Sequence, residues 1–365
     1  MQQALVIDNG TWLSKNGFAG DDQPHSVFPT LVGYPRNSYR TDDSSSFSRL
    51  LFDKEAQEAN DKILKVFPIE NGIIKNWEAM EKIWHYIFLE DLRVNPSEHP
   101  VLLTERLNNP PQTRAKTAEI LFESFNVPAL YIANSSLLSL IASGSVTALI
   151  VHIGAGGTDI VPFYKGFIIT DGLKAFDVGG REITDKLKTL LPDSASMIPE
   201  LNDLKHVRDI KEKLCYVAQE LKTESPIPKQ YVLPSNRVIT LDSERFLAPE
   251  ILFRPLPSKP YKLHETVYES IQSCGIRLRR DFYYNIVLSG GTTLFPGFKE
   301  RLRKELTTLV PKTIDVMIVA PPERMYSTWI GGSILASLKG FEKQWLTKKE
   351  YQEEGALAIQ KHTHF

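Results

Sequence analysis

Residues 148–157, ALIVHIGAGG, carry an apolar strand-like run into a turn of three glycines and an alanine. Glycine has no Cβ, so backbone N–H groups in such a turn can approach a phosphate closely. No carboxylate lies inside the turn, and His152 stands where the run ends. Two other stretches share the form. Residues 4–10 read ALVIDNG, an echo that aligns Asp8 with His152 and Gly10 with Gly154. Residues 287–293 read VLSGGTT, a β-rich run meeting a double glycine with hydroxyls beside it. A P-loop needs Gly-x4-Gly-Lys-Ser/Thr, and the chain has none. A dinucleotide fingerprint needs a third glycine opening a helix, but Asp159 occupies that position and strand-like IVPFY follows. Two readings stay open: hairpin loops clasping one nucleotide in a shared cleft, or ordinary tight turns. Three such turns at strand ends fit a shared cleft better than three unrelated corners.

Other chemistries find less support. The eight histidines form no HExxH and no paired Cys/His spacing, and no nucleophile elbow is present. His362 and His364 at the end of the chain read as innocent. The 365 residues allow two domains or two lobes of one fold. Hydrophobic content of 42% and charged content of 24% are those of an ordinary globular protein. A net charge of −1 gives no field favouring nucleic acid or acidic membranes. Cys215 and Cys274 cannot build a disulfide framework and suit a reducing compartment. The opening MQQALVIDNG lacks the pattern of a signal peptide. Residues 124–158 carry no Asp, Glu, Lys or Arg, but polar residues from Asn134 to Ser145 interrupt them. A buried helix, a turn at Gly144 and a buried strand explain that stretch better than a membrane span.

The glycine turns need elements to hold them. ALVIDNG and ALIVHIG each continue into a second apolar segment, which predicts two strand–loop–strand hairpins in two related halves. NWEAMEKIWHYIFLEDL spaces Met80, Ile83, Trp84, Ile87 and Phe88 as a helix does, and LKHVRDIKEKLCYVAQEL does so from Val207 and Ile210 through Leu214 and Cys215 to Leu221. HPVLLTE and YYNIVLSGG read as buried strands. Residues 37–49 read as a polar surface excursion and 255–262 as a proline-punctuated loop. The architecture expected is α/β with two similar lobes.

IDNGTWLSKNGFAGDDQPHSVFPTLVG, EHPVLLTE, IVLSGGTTLFPG and APPERMYSTWIGGSILASL resemble the actin family, and the resemblance runs from residue 4 to the end. FNVPAL, STWIGG and APEILFRP are similar to centractin-type actin-related proteins, MEKIWHYIF and RDIKEKLCYVA to actin itself. The chain looks like a divergent actin-related protein. The resemblance implies the actin-like ATPase fold, two duplicated ribonuclease-H-like lobes with four subdomains around a central nucleotide cleft. Residues 1–134 plus 327–365 would form one lobe, with a small subdomain near 32–67. Residues 135–326 would form the other, with a small subdomain near 179–261.

The resemblance also carries roles. Asp8 matches an aspartate near the metal, and Lys15 a lysine that reaches the phosphates. Gly10, Thr11, Gly154, Gly156 and Gly157 match phosphate loops. Arg208, Lys211 and Glu212, with Gly290, Gly291 and Thr292, match the adenosine side, and Met325 replaces a lysine near the adenine edge. ATP or ADP is the implied cofactor, with Mg²⁺ weakly held. The departures concentrate at the chemistry. The family's second loop reads Asp-Ser-Gly-Asp-Gly; here His152 and Ala155 replace both aspartates. Ser135 stands for the glutamine that positions the attacking water, Asp159 for a loop histidine and Asn71 for another. Trp12 replaces a small glycine, so its indole must point away from a phosphate or fill its space. Mg²⁺ wants oxygen ligands, and hydrolysis needs an oriented water and stabilised charge. Negligible ATP hydrolysis is therefore expected.

Residues 34–52 and 255–262 depart from the family's filament contacts, so ordinary self-polymerisation is not expected. Ile141, Ala142, Gly144, Val146, Ile330, Ile334, Leu335 and Leu338, with Gly166 nearby, match a hydrophobic cleft that takes amphipathic helices. Core packing is the competing reading of those residues. The expected function is a non-catalytic structural subunit of a cytoskeletal assembly in the cytoplasm. Its partners would be actin, other actin-related proteins and complex subunits, without direct nucleic-acid contact or membrane insertion. A nuclear subunit of a chromatin-remodelling complex and a filament-forming ATPase are the alternatives.

Overall fold

The computed structural model describes residues 2–35, 50–58, 63–192, 198–254, 260–355 and 358–361. The expectations for 37–49, for most of 255–262 and for His362 and His364 lie outside the described residues. The chain forms two compact units, Met1–Ser145 with Tyr326–Phe365, and Val146–Met325. The division falls after the helix Ser135–Ala142, which packs against the helix Ser327–Ser337 of the first unit.

In the first unit, Leu5–Asn9 pairs antiparallel with Leu13–Phe18 and parallel with Val101–Glu105, which continues in parallel to Ala129–Asn134. Side chains alternate across the sheet. Leu5, Ile7, Leu103 and Ile132 pack on one face, in a core with Met80, Ile83, Trp84, Ile87 and Phe88. Ala4, Val6, Leu102 and Ala133 pack on the other, with Leu138 and Trp329. The helix Trp77–Tyr86 starts where the Asn76 side chain accepts from Ala79 N–H, and Ile87–Asp91 extend it as a π-helical turn.

Helix Ser327–Ser337 lies against Ser135–Ala142 because Gly331 permits it. A Cβ there would fall 1.8 Å from the Leu138 carbonyl oxygen. Elsewhere in a helix, alanine would gain about 1 kcal/mol over glycine. Here Gly331→Ala is expected to cost about 1–3 kcal/mol or more, since backbone must yield. Denaturant unfolding checks the sign, and a stabilised variant would contradict the close approach.

The second unit repeats the plan. Ala148–Ile153 pairs antiparallel with Thr158–Tyr164 and parallel with Ile286–Ser289. Leu149, Val151 and Ile153 face a core that includes Ile183, Leu187, Val207, Ile210 and Leu288. The uncharged stretch contains the helix Ser135–Ala142, Gly144 at φ +68° and the strand Ala148–Ile153. Among the described residues, no helix is long and apolar enough to cross a membrane. One helix is shorter than its apolar spacing suggests. Leu204–Leu214 ends at Cys215, which is extended, and does not reach Leu221. Cys215 and Val217 stay buried, but Tyr216 N–H goes to Arg245 O and Val217 N–H to Pro296 O. Tertiary backbone bonds replace the helical ones.

Candidate functional site

Each hairpin sets two ionisable residues opposite each other just before its turn, and a hydroxyl from the adjoining parallel strand completes a trio. In the first hairpin the register sets Asp8 opposite Lys15, with Nζ 2.6 Å from Asp8 Oδ2. Thr104 Oγ1 donates to Asp8 Oδ1 at 2.6 Å. Both oxygens of this buried carboxylate are engaged. In the second hairpin the register sets His152 opposite Asp159, which is 2% exposed. Ser289 Oγ lies 3.0 Å from His152 Nδ1. The polarity is inverted: the first strand carries the acid in one half and the imidazole in the other.

The first turn closes through Gly10 N–H to Leu13 O at 3.0 Å. Thr11 Oγ1 accepts from Gly72 N–H at 2.9 Å, and Thr30 Oγ1 donates to Gly10 O at 2.9 Å. The Trp12 ring packs on Phe67, centroids 5.8 Å apart. Asn71 takes the left-handed conformation at φ +49°, and Arg106 Nη1 donates to its carbonyl at 2.9 Å. Ser135 Oγ donates to Glu105 O at 2.9 Å, which commits the hydroxyl to backbone. The buried Glu105 accepts from Arg114 Nε at 2.6 Å and Asn109 Nδ2 at 2.8 Å. Burial nevertheless raises its carboxyl above the ordinary glutamate value, against the pull of Arg114 and Asn109.

The second turn is pinned by its carbonyls. Gly154 O accepts from Gly180 N–H at 3.0 Å and from Thr292 Oγ1 at 2.8 Å, and Ala155 O accepts from Arg181 N–H at 2.9 Å. Gly154 N–H closes the turn on Gly157 O at 3.0 Å. Among the described residues, no protein acceptor meets the N–H groups of Ala155 or Gly156. Adjacent unpaired backbone N–H groups form the kind of concavity that takes an anion. Gly290 holds the third turn against the second. Its φ is +89°, and a Cβ there would fall 2.3 Å from Ile153 O. Met325 lies beside Gly291, its Cγ 3.7 Å from where a Cβ would be.

Lys211 and Arg208 reach this region from the helix Leu204–Leu214. Lys211 Nζ donates to Gly180 O at 3.0 Å. Burial draws Lys211 down to about 8, opposed by Glu212 and assisted by Arg208. Burial likewise draws Arg208 down to about 10, opposed by Glu212 and Asp203 and assisted by Arg181. The folded value of Lys211 lies below its ordinary 10.5, so burying its charge costs stability at neutrality. That cost falls away as pH rises from about 8 towards 10.5. Lys211→Met is expected to raise stability at pH 7 by about 1–3 kcal/mol. The gain should shrink over that alkaline window in thermal melts. Gly180 O keeps Thr184 Oγ1 as a donor in the variant, at 2.9 Å.

The Actin family model matches residues 1–364. This chain belongs to the actin family. The mixed sheets and helices are those of the actin-like ATPase fold, and actin-family proteins generally bind ATP or ADP with Mg²⁺. Within the second unit, the structure brings together Gly154, Gly156, Gly157, Lys211, Gly290, Gly291, Thr292 and Met325, with Arg208 and Glu212 on the Lys211 helix. Within the first it brings Asp8, Lys15, Gly10 and Thr11 to one turn. The residues fit phosphate better than magnesium. Asp8 is already neutralised by Lys15, the second turn has no carboxylate, and no cluster of three or more His, Cys, Asp or Glu among the described residues is arranged for a metal. Of the expected partner cleft, Ile141, Ile330 and Leu335 pack partly on the first unit's core. Ile334 and Leu338 project from it, 39% and 52% exposed. Val146 and Gly166 belong to the second unit, where Gly166 N–H donates to Val146 O at 2.7 Å.

Sequence reasoning missed Thr104 and Ser289, the hydroxyls that complete the two trios, and the N–H groups of Gly180 and Arg181 that pin the second turn. A signal for the hydroxyls exists in hindsight. HPVLLTE and NIVLSGG both place one near the end of a parallel-strand run.

Proposed function

We propose that this actin-family protein is a non-catalytic structural subunit that holds ATP or ADP at its glycine turns and hydrolyses it negligibly. One observation carries the reading. The second turn keeps backbone N–H groups for phosphate, but an imidazole stands where the first hairpin has its carboxylate. Phosphate binding and catalytic metal chemistry have come apart in this arrangement. Asp8 and Lys15 neutralise each other, and the Ser135 hydroxyl is tied to Glu105 O, so neither is poised to order an attacking water. The carboxy-terminal third tracks actin and centractin closely, which favours a cytoskeletal assembly in the cytoplasm. Exposed Ile334 and Leu338 supply an apolar surface for an amphipathic helix of actin, another actin-related protein or a complex subunit.

Denaturing purified protein and identifying the released nucleotide tests the first part. Near-stoichiometric ATP or ADP is expected, and its absence from protein purified with ATP present would contradict the reading. Capture of subunits by wild type and by Ile334→Asp tests the second. Equal capture by a folded variant would reject that surface.

A further inference from the structure

We propose that His152, as an imidazolium, supplies the positive charge that a magnesium ion would otherwise bring to phosphates at the second turn. The chain then binds a nucleoside triphosphate without a divalent cation. This rests on the nucleotide-binding reading above and deepens it.

Placement comes first. Ser289 Oγ, 3.0 Å from Nδ1, fixes the ring. Nε2 lies 3.6 Å from the point where a Cβ on Gly154 would be, so the imidazole lies against the first residue of the turn. The next two residues, Ala155 and Gly156, present the N–H groups that no protein acceptor meets among the described residues. The ring therefore lies against the residue that immediately precedes those N–H groups in the turn. Histidine is the side chain whose charge changes near neutrality, and a charged donor roughly doubles the strength of a hydrogen bond to phosphate.

The surrounding charges permit this. From the strand Thr158–Tyr164, buried Asp159 pairs across to His152. From Ile286–Ser289 the neighbour is the neutral Ser289 hydroxyl. The turn 154–157 carries no charge, and the helix Gly180–Leu190 approaches it through backbone N–H groups, with Arg181 the nearest cation of that helix in sequence. From Leu204–Leu214, Lys211 Nζ lies 3.4 Å from the Cβ position of Gly180. Asp159 stands opposite His152 in the strand register, and the acids that act on Lys211 are Glu212 and Asp185. A carboxylate that could compete by recruiting a metal is missing from this turn, and Asp8 of the first hairpin is already held by Lys15 and Thr104.

The test is calorimetric titration of nucleotide-stripped full-length protein with ATP, in EDTA and in Mg²⁺, near pH 6 and near pH 8. Wild type should bind in EDTA within about threefold of its affinity in Mg²⁺. His152→Gln should lose about tenfold near pH 6, the worth of one charge-assisted contact, and much less near pH 8. Comparing wild type with variant at each pH cancels the titration of ATP itself. His152→Lys should keep the affinity, with an advantage over His152→Gln that is the same at both pH values, and His152→Asp should bind only with Mg²⁺. Wild type that binds ATP only with Mg²⁺, or His152→Gln that binds as well as wild type near pH 6, overturns this inference and leaves nucleotide binding standing. Wild type that binds ATP under no condition removes both. Should a variant fail to fold, the wild-type comparison of EDTA with Mg²⁺ decides alone.

Discussion

Arg301→Met is expected to cost the second unit about 3–5 kcal/mol, because it strands a carboxylate in the core. Arg301 and Glu250 are each 5% exposed. The guanidinium forks onto Glu250, Nη2 to Oε1 at 3.0 Å and Nη1 to Oε2 at 3.3 Å. Nη1 also donates to Ala218 O at 2.6 Å and Nε to Glu305 at 2.6 Å. Methionine fills much of the volume but offers none of these donors. Arg254 Nε, 3.3 Å from Glu250 Oε1, is 58% exposed and too well solvated to compensate. Adding Glu250→Leu should recover part of the loss, since an apolar pair removes the stranded charge. Urea unfolding of the two variants measures both effects. A single-variant loss below about 1 kcal/mol would show the pair to be solvated.

Lys15→Met carries the second large effect, roughly 3 kcal/mol, and it falls on the first hairpin. The Asp8 and Lys15 side chains are 8% and 13% exposed. Without the ammonium, Asp8 keeps only the Thr104 hydroxyl. Asp8→Asn in the same chain should restore most of the loss, because a neutral amide can still accept from Thr104. Failure of the double variant to recover would mean that Lys15 acts through packing of its methylene stem and not through its charge. The pair sets the electrostatics of the first turn.

Much of this arrangement is legible in the sequence. The echo between ALVIDNG and ALIVHIG gives two hairpins, and their antiparallel registers set Asp8 against Lys15 and His152 against Asp159. Period-two alternation distinguishes Leu5 and Ile7 from Val6, and the structure sends them to opposite faces. The bonds that complete the site are harder to read because they join distant segments. Thr104 reaches Asp8 across 96 positions and Ser289 reaches His152 across 137. No local pattern sets such pairings; they follow from parallel strand order, which the chain connects through long crossovers. Trp12 illustrates a further limit. Spacing raises the steric question at its position, and only tertiary packing on Phe67 answers it. The apolar spacing through Leu221 likewise reports burial correctly at Cys215 and Val217 while misjudging the backbone, since Pro296 O takes the bond that a helix would have made. Ile141 and Ile334 both belong to the expected cleft, yet one packs partly on core and the other is 39% exposed. A helical stripe in sequence cannot separate those two fates.

The most direct test of the central claim is phosphate release from Mg²⁺-ATP by purified full-length protein, followed over hours beside a conventional actin-family ATPase. Release indistinguishable from buffer, with intact nucleotide recovered from the protein afterwards, is the expected result. Sustained turnover at a rate comparable to that ATPase would contradict it.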